Sequence, residues 1–156
     1  MSSYQLYNQV TAETSKQTTL MYSSSFSSAI KLLHKDLRQP IYDVYGLVRY
    51  ADEIVDTFHD FDKAKLLAQF KIDTYTAIEQ GISLNPILHR FQLTFRKYNI
   101  GQDLVEAFFN SMEMDLNKRQ ITFSRHDVLN RFWGVRFTVT PANSKQKKEL
   151  RGLAFF

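Results

Sequence analysis

Pro40-Ile41-Tyr42-Asp43-Val44-Tyr45-Gly46-Leu47-Val48-Arg49-Tyr50-Ala51-Asp52-Glu53-Ile54-Val55-Asp56 is apolar around most of a helical girth. Ile41, Val44, Tyr45, Val48, Ala51 and Val55 recur at three- and four-residue spacing, and Tyr42, Leu47, Ile54 and Phe58 add a second stripe. A helix of that kind is buried, so the stretch predicts an all-α protein. Its row Tyr45, Arg49, Asp52 and Asp56 then points into the interior or a cavity. Asp52 and Asp56 are four residues apart, one helical turn above each other, and repel unless something binds between them. Charges so placed need partners. Hard carboxylate oxygens suit Mg²⁺, with Mn²⁺ as a substitute, and Mg²⁺ usually takes one or two carboxylates plus phosphate oxygens. Arg49 has the side chain best shaped for a phosphate. The row reads as a diphosphate–Mg²⁺ grip on a helix. The plainer reading is a solvated pair on a surface helix, common for two aspartates at this spacing; the apolar surroundings favour the grip.

Outward from this stretch the chain reads as helices with few interruptions. Tyr7 to Met21 is polar and weakly amphipathic. The cluster Tyr22-Ser23-Ser24-Ser25 favours a cap or turn, because serine hydroxyls compete for backbone hydrogen bonds. Phe26 to Leu33 restarts a helix, Asp36 offers the next N-cap, and Pro40 suits the first turn of the motif helix. A break falls at Asp60 to Asp62. Asp62 then caps Lys63 to Gln80, and Gly81 ends that helix. Asn85 and Pro86 start another that runs to about Tyr98, and Asp103 to Lys118 forms the last. His34 and His59 read as surface or helix-end residues, with no paired spacing for a metal.

Two stretches together carry a resemblance. Tyr22-Ser23-Ser24-Ser25-Phe26-Ser27-Ser28-Ala29-Ile30-Lys31-Leu32-Leu33, followed by Ile41 to Asp56, resembles the squalene/phytoene synthase family, and is most similar to bacterial phytoene synthases. There a Y-S-x-S-F turn and an R-x-x-D-[DE]-x-x-D helix line the diphosphate site. Met112-Glu113-Met114-Asp115-Leu116 resembles a later M-x-M-D segment. The resemblance covers about residues 4 to 120 and implies the N-terminal half of an isoprenoid synthase-type helical fold. It makes Asp52 and Asp56 the Mg²⁺ ligands, and Arg49, Ser23 and Ser25 the groups that bind the diphosphate. Tyr45 stands beside them, and Arg49 and Tyr45 are the candidate catalytic residues. Asp60, two turns beyond Asp52 at helical spacing, and Asp115 have weaker claims. The implied reaction is head-to-head condensation of two geranylgeranyl diphosphates to phytoene, in carotenoid biosynthesis. The alternatives are a squalene- or dehydrosqualene-forming enzyme using farnesyl diphosphate, or a non-catalytic helical fragment.

After Gln120 the character changes. Residues 132–140 are β-prone, Pro141 to Lys148 reads as polar coil, and Asp127 stands alone. The expected organisation is a helical region at 1–120, an incomplete domain, and an irregular basic tail at 121–156 that is not homologous to the family, as after a frameshift or truncation. No second helical Asp-rich motif occurs in that tail. We therefore expect little synthase activity from the chain by itself, and solvent-exposed apolar faces around Phe70, Phe91, Phe95, Phe108 and Phe109.

Composition narrows the function classes. The 156 residues are 44% hydrophobic, with 13 Phe and 8 Tyr, enough for a core and for lining an apolar tunnel. Cysteine is absent, which excludes disulfides and thiolate metal sites. The formal charge of +4 is uneven: residues 1–117 sum to −3 and residues 118–156 to +7. The basic residues form no stripe and no nucleic-acid motif accompanies them, so no nucleic-acid partner is expected. With no signal-peptide pattern and no long apolar run, a cytoplasmic protein is expected; a very apolar substrate could still draw it to the periphery of a membrane.

Overall fold

The computed structural model describes residues 1–118; Asp127, the β-prone stretch at 132–140 and the expected tail at 121–156 lie outside the described residues. The described residues form six α-helices and no strand: α1 (Ser3–Tyr22), α2 (Ser24–Lys31), α3 (Lys35–Asp56), α4 (Lys63–Gln80), α5 (Pro86–Lys97) and α6 (Gln102–Asn117). The chain divides into one unit at Met1–Asn99, with α1 to α5, and a second from Ile100 onward that contains α6.

Most boundaries follow from local chemistry. The Asp62 side chain accepts from the Lys65 amide, and Gly81 closes α4 at φ 72°, a backbone that favours glycine. Asn85 accepts from the amides of Ile87 and Leu88, with Pro86 as the first residue of α5. Three expectations need correction. The first helix starts a turn earlier than Tyr7, because Ser2 and Gln5 cap it reciprocally. The motif helix starts at Lys35 with His34 as N-cap; Asp36 lies in its first turn, 3.3 Å from His34, and Pro40 lies inside it. Pro40 cannot donate to the Asp36 carbonyl, but Asp36 is exposed and solvent can satisfy that oxygen. The same helix stops at Asp56, where the Thr57 amide donates to the Glu53 carbonyl. Asp60 therefore sits in the following turn and does not continue the carboxylate row.

In the first unit α3 packs against α1, α2, α4 and α5, as its apolar girth requires. Ile41, Val44, Leu47, Val48, Ala51 and Ile54 are buried. A Cβ at Gly46 would stand 3.1 Å from Ile87 Cδ1, so glycine lets α3 and α5 approach closely. The polar helix α1 buries Thr11, Ser15, Thr18 and Thr19. The hydroxyls of Thr11, Thr18 and Thr19 donate to carbonyls three or four residues back, at 2.9–3.1 Å, which lets a helix without an apolar stripe be buried. Phe70, Phe91, Phe108 and Phe109 are buried and Phe95 partly so, which overturns the expectation of exposed faces there. For Phe91 the reason is local: α5 is packed by α1, α3 and α4, and these supply its walls.

Asp43 is fully buried at the centre of that packing. It accepts from Arg90 Nε at 3.2 Å and Nη2 at 3.0 Å, and from Thr94 Oγ1 at 2.7 Å. Ser15 Oγ and Gln39 Nε2 donate to it at 2.8 Å each. A single carboxylate thus ties α1, α3 and α5 together, with its charge paired and its lone pairs satisfied.

In the second unit α6 buries Val105, Phe108, Phe109 and Met112, a stripe at helical spacing. Asp115 is part-buried on the same helix.

Candidate functional site

The turn between α1 and α2 is a single residue. Ser23 adopts an extended backbone (φ −148°, ψ 102°), ending one helix and capping the next. Its Oγ accepts from the Phe26 amide at 3.2 Å, while Ser27 Oγ donates to the Ser23 carbonyl at 2.6 Å and lies 3.2 Å from the Thr19 carbonyl across the break. This geometry brings Tyr22, at the end of α1, and Phe26, in the first turns of α2, against α3. The Phe26 ring stacks on Tyr45, with centroids 5.1 Å apart and planes at 25°. The Tyr22 ring lies 4.3 Å from the guanidinium carbon of Arg49.

Arg49 is 7% exposed and held on three sides. One face lies on Tyr22, Nη1 stands 3.3 Å from Asp52 Oδ2, and Nη2 donates to Glu53 Oε2. Nε is buried with no partner among the described residues. Burial alone would lower the guanidinium pKa, but Glu53, and behind it Asp52, raise it above its ordinary value, with Tyr45 adding to them. The arginine is thus a fixed cation in a largely dehydrated place.

Exposure along the α3 row grades from inside to outside. Tyr45 and Arg49 are buried, Asp52 is 17% exposed, and Asp56, the last helical residue, is exposed. The expectation that the whole row faces the interior holds for its first two members and fails at Asp56, because the helix ends there. Ser23 uses an oxygen lone pair in capping, which leaves its proton to donate to an anion; Ser25, in the first turn of α2, is exposed. Among the described residues no group of three or more His, Cys, Asp or Glu side chains forms a ready metal cage. Two aspartates one turn apart, the outer one open to solvent, still fit Mg²⁺, which keeps several waters and completes its octahedron with substrate phosphates. The Arg49 guanidinium beside them carries the positive charge that suits the anionic half of the same ligand.

The residue pattern missed Tyr22 and Glu53 as partners of Arg49. Glu53 was findable, since it lies at i+4 from the arginine. Tyr22 was not, because its contact crosses from α1 to α3. A groove of about 750 Å³ runs beside this cage, lined by Val10, Glu13, Thr14, Gln17, Thr18, Met21, Tyr22 and Tyr50. It shares only Tyr22 with the arginine cage, and none of the expected site residues lines it.

Comparison with known proteins bears on this geometry directly. The family model described as "Squalene/phytoene synthase" matches residues 21–135, which include Ser23, Ser25, Tyr45, Arg49, Asp52 and Asp56. The chain belongs to the squalene/phytoene synthase family. The match runs on to residue 135, beyond residue 120 where the resemblance read from the motifs stops. A curated squalene/phytoene synthase relative, the presqualene diphosphate synthase of Rhodopseudomonas palustris (strain ATCC BAA-98 / CGA009), is 26% identical over 107 residues. The aligned part covers 69% of this chain and 38% of that protein. The family is a prenyltransferase-type enzyme family, typically metal-dependent, and its all-α architecture is the one found here. Among the described residues no helix is long and apolar enough to cross a membrane.

Proposed function

We propose that the chain carries one half of the diphosphate–Mg²⁺ site of a phytoene synthase-type prenyltransferase, which joins two geranylgeranyl diphosphates head to head in carotenoid biosynthesis. The observation that carries this reading is Arg49, a dehydrated and fully charged guanidinium held beside Asp52 on the family's signature helix. Condensation passes through a cyclopropyl diphosphate, and each of the two ionisations expels a diphosphate. Arg49, Ser23 and Ser25 would bind the charge on that leaving group by charge-assisted hydrogen bonds. Asp52 and Asp56 would hold Mg²⁺, or Mn²⁺ in its place. When bound, the metal neutralises the departing diphosphate. Tyr45 and Phe26, stacked beside the arginine, would form a wall that keeps water from the carbocation. The protein would work in the cytoplasm, drawn to the membrane periphery only by its substrate.

A second reading, synthesis of squalene or dehydrosqualene from farnesyl diphosphate, is supported by the name of the curated relative, a presqualene diphosphate synthase. Product analysis with both prenyl diphosphates separates the two.

The site itself is tested by binding. Asp52→Asn and Asp56→Asn should each abolish Mg²⁺-dependent binding of a non-reactive prenyl diphosphate analogue, with far-UV helicity unchanged. Calorimetric affinity equal to the parent chain in either variant would remove that aspartate from the metal site.

A further inference from the structure

The partners of Arg49 hold it on three sides. Nη1 faces Asp52, Nη2 donates to Glu53, and one face of the plane rests on Tyr22. Nε is buried, and with the side chain 7% exposed the second N–H of each Nη offers an incoming anion little of this arginine as it stands. The last two turns of α3 set one positive formal charge, Arg49, against three negative ones at Asp52, Glu53 and Asp56. A bare diphosphate approaching that row is repelled, whereas a divalent cation is attracted.

The two carboxylates on Arg49 are not equivalent. The Asp52 contact, at 3.3 Å, is long for a charge-assisted hydrogen bond, and Glu53 does more than Asp52 to hold the guanidinium charged. A cation that takes Asp52 leaves Arg49 to Glu53 alone, and its charge draws in the phosphate oxygens that then compete with Glu53 for the guanidinium. Tyr22 fits it for exchange, because attraction to a ring face depends little on how the guanidinium is turned within its own plane. Arg49 can pivot from Glu53 to a phosphate oxygen without leaving the ring. Glu53 is 18% exposed, so water can take over its carboxylate once the arginine has turned away.

We propose that Glu53 is an internal latch: it occupies Arg49 until a divalent cation arrives, and so makes capture of the anion conditional on the metal. The latch rests on the reading of this site as a diphosphate–metal grip, and it gives Glu53, a residue without a ligand of its own, control over the order of binding. The competing explanation is an ordinary i, i+4 ion pair that only steadies the helix end.

Calorimetry with inorganic pyrophosphate as the probe, on the 156-residue chain with either EDTA or Mg²⁺, distinguishes these. The parent chain should bind pyrophosphate with Mg²⁺ and only weakly in EDTA. In E53Q the affinity in EDTA should rise roughly three- to tenfold, as expected for freeing one partly buried charged partner, while the affinity with Mg²⁺ changes less than about twofold. E53D, which keeps the charge, should retain the metal requirement. Thermal melts of all three report folding separately. If the parent chain binds with Mg²⁺ but E53Q gains nothing in EDTA, or if E53D behaves as E53Q does, the latch is wrong and Glu53 is a helix-steadying partner. If the parent chain fails to bind pyrophosphate even with Mg²⁺, the diphosphate site is wrong and the latch falls with it.

Discussion

Ser23 and Ser25 sit two residues apart in one motif but do different physical work. Ser23 caps α2 through the Phe26 amide, whereas Ser25 is exposed in the first turn and has no cap to make. Changing both to Ala should weaken diphosphate binding by about 1–3 kcal/mol, the loss expected for charge-assisted hydrogen bonds. Only Ser23→Ala should also lower stability, by about 1 kcal/mol for the missing cap. Chemical denaturation and calorimetry on the two single variants separate these effects. Binding that is unaltered in the double variant would return both serines to local structure. At this scale the carboxylate spacing and the arginine were legible in the residues alone, since both follow from a 3.6-residue period. The grading of burial along the row was not, because it depends on where α3 stops.

The contact between α1 and α5 turns on His89, which is fully buried. Its Nε2 lies 2.7 Å from Asn8 Oδ1, and the rings of Tyr7 and Tyr4 pack at 4.8 and 6.1 Å between centroids. With Nε2–H donating to Asn8, Nδ1 is a buried lone pair without a partner. Protonation would place a charge there beside Arg90. Burial first, and then Arg90, hold the His89 pKa below 6.5, against the opposing pull of Asp43. The unfolded chain therefore binds more protons than the folded one in the window between the depressed value and about 6.5, and stability rises with pH across it. Thermal melts should show the protein losing stability as pH falls below about 6.5, and His89→Gln should flatten that dependence. An unchanged slope in the variant would show that His89 is not the group responsible. The sequence reads as a polar, weakly amphipathic helix over Tyr7 to Met21. It docks all the same, since Thr11, Thr18 and Thr19 satisfy their hydroxyls on their own helix and leave the inter-helix contacts to Asn8, Ser15 and the Tyr7 ring.

Across the first unit, Asp43 decides how three helices meet. Asp43→Asn removes the charge that pairs Arg90 while leaving that guanidinium mostly buried. The cost should be about 3–5 kcal/mol, as for removing one partner of a buried ion pair. Because α3 carries the arginine cage, diphosphate affinity should fall along with the melting temperature. Replacing Asp43 and Arg90 together by apolar residues of similar volume should cost less than Asp43→Asn alone. A melting temperature equal to that of the parent in Asp43→Asn would show that the network contributes little to the fold.

The helical class, the positions of α4, α5 and their caps, and the face shared by Arg49, Asp52 and Asp56 were determined by the sequence alone. Each depends on residues within a few positions of one another: an aspartate or asparagine before a helix, a glycine after it, apolar side chains at a fixed period. Tertiary structure decided the rest. Asp43 looks like one more charge on an apolar helix until Ser15, Arg90 and Thr94 converge on it from 28, 47 and 51 residues away. Tyr22 is an aromatic residue at a helix end until a one-residue turn lays its ring on Arg49. A linear pattern records which side chains share a face of one helix, but not which other helix that face will meet. Asp52 and Glu53 set the charge of the site from within α3, but its burial and its aromatic partner Tyr22 come from other helices, and only the packed helices supply them.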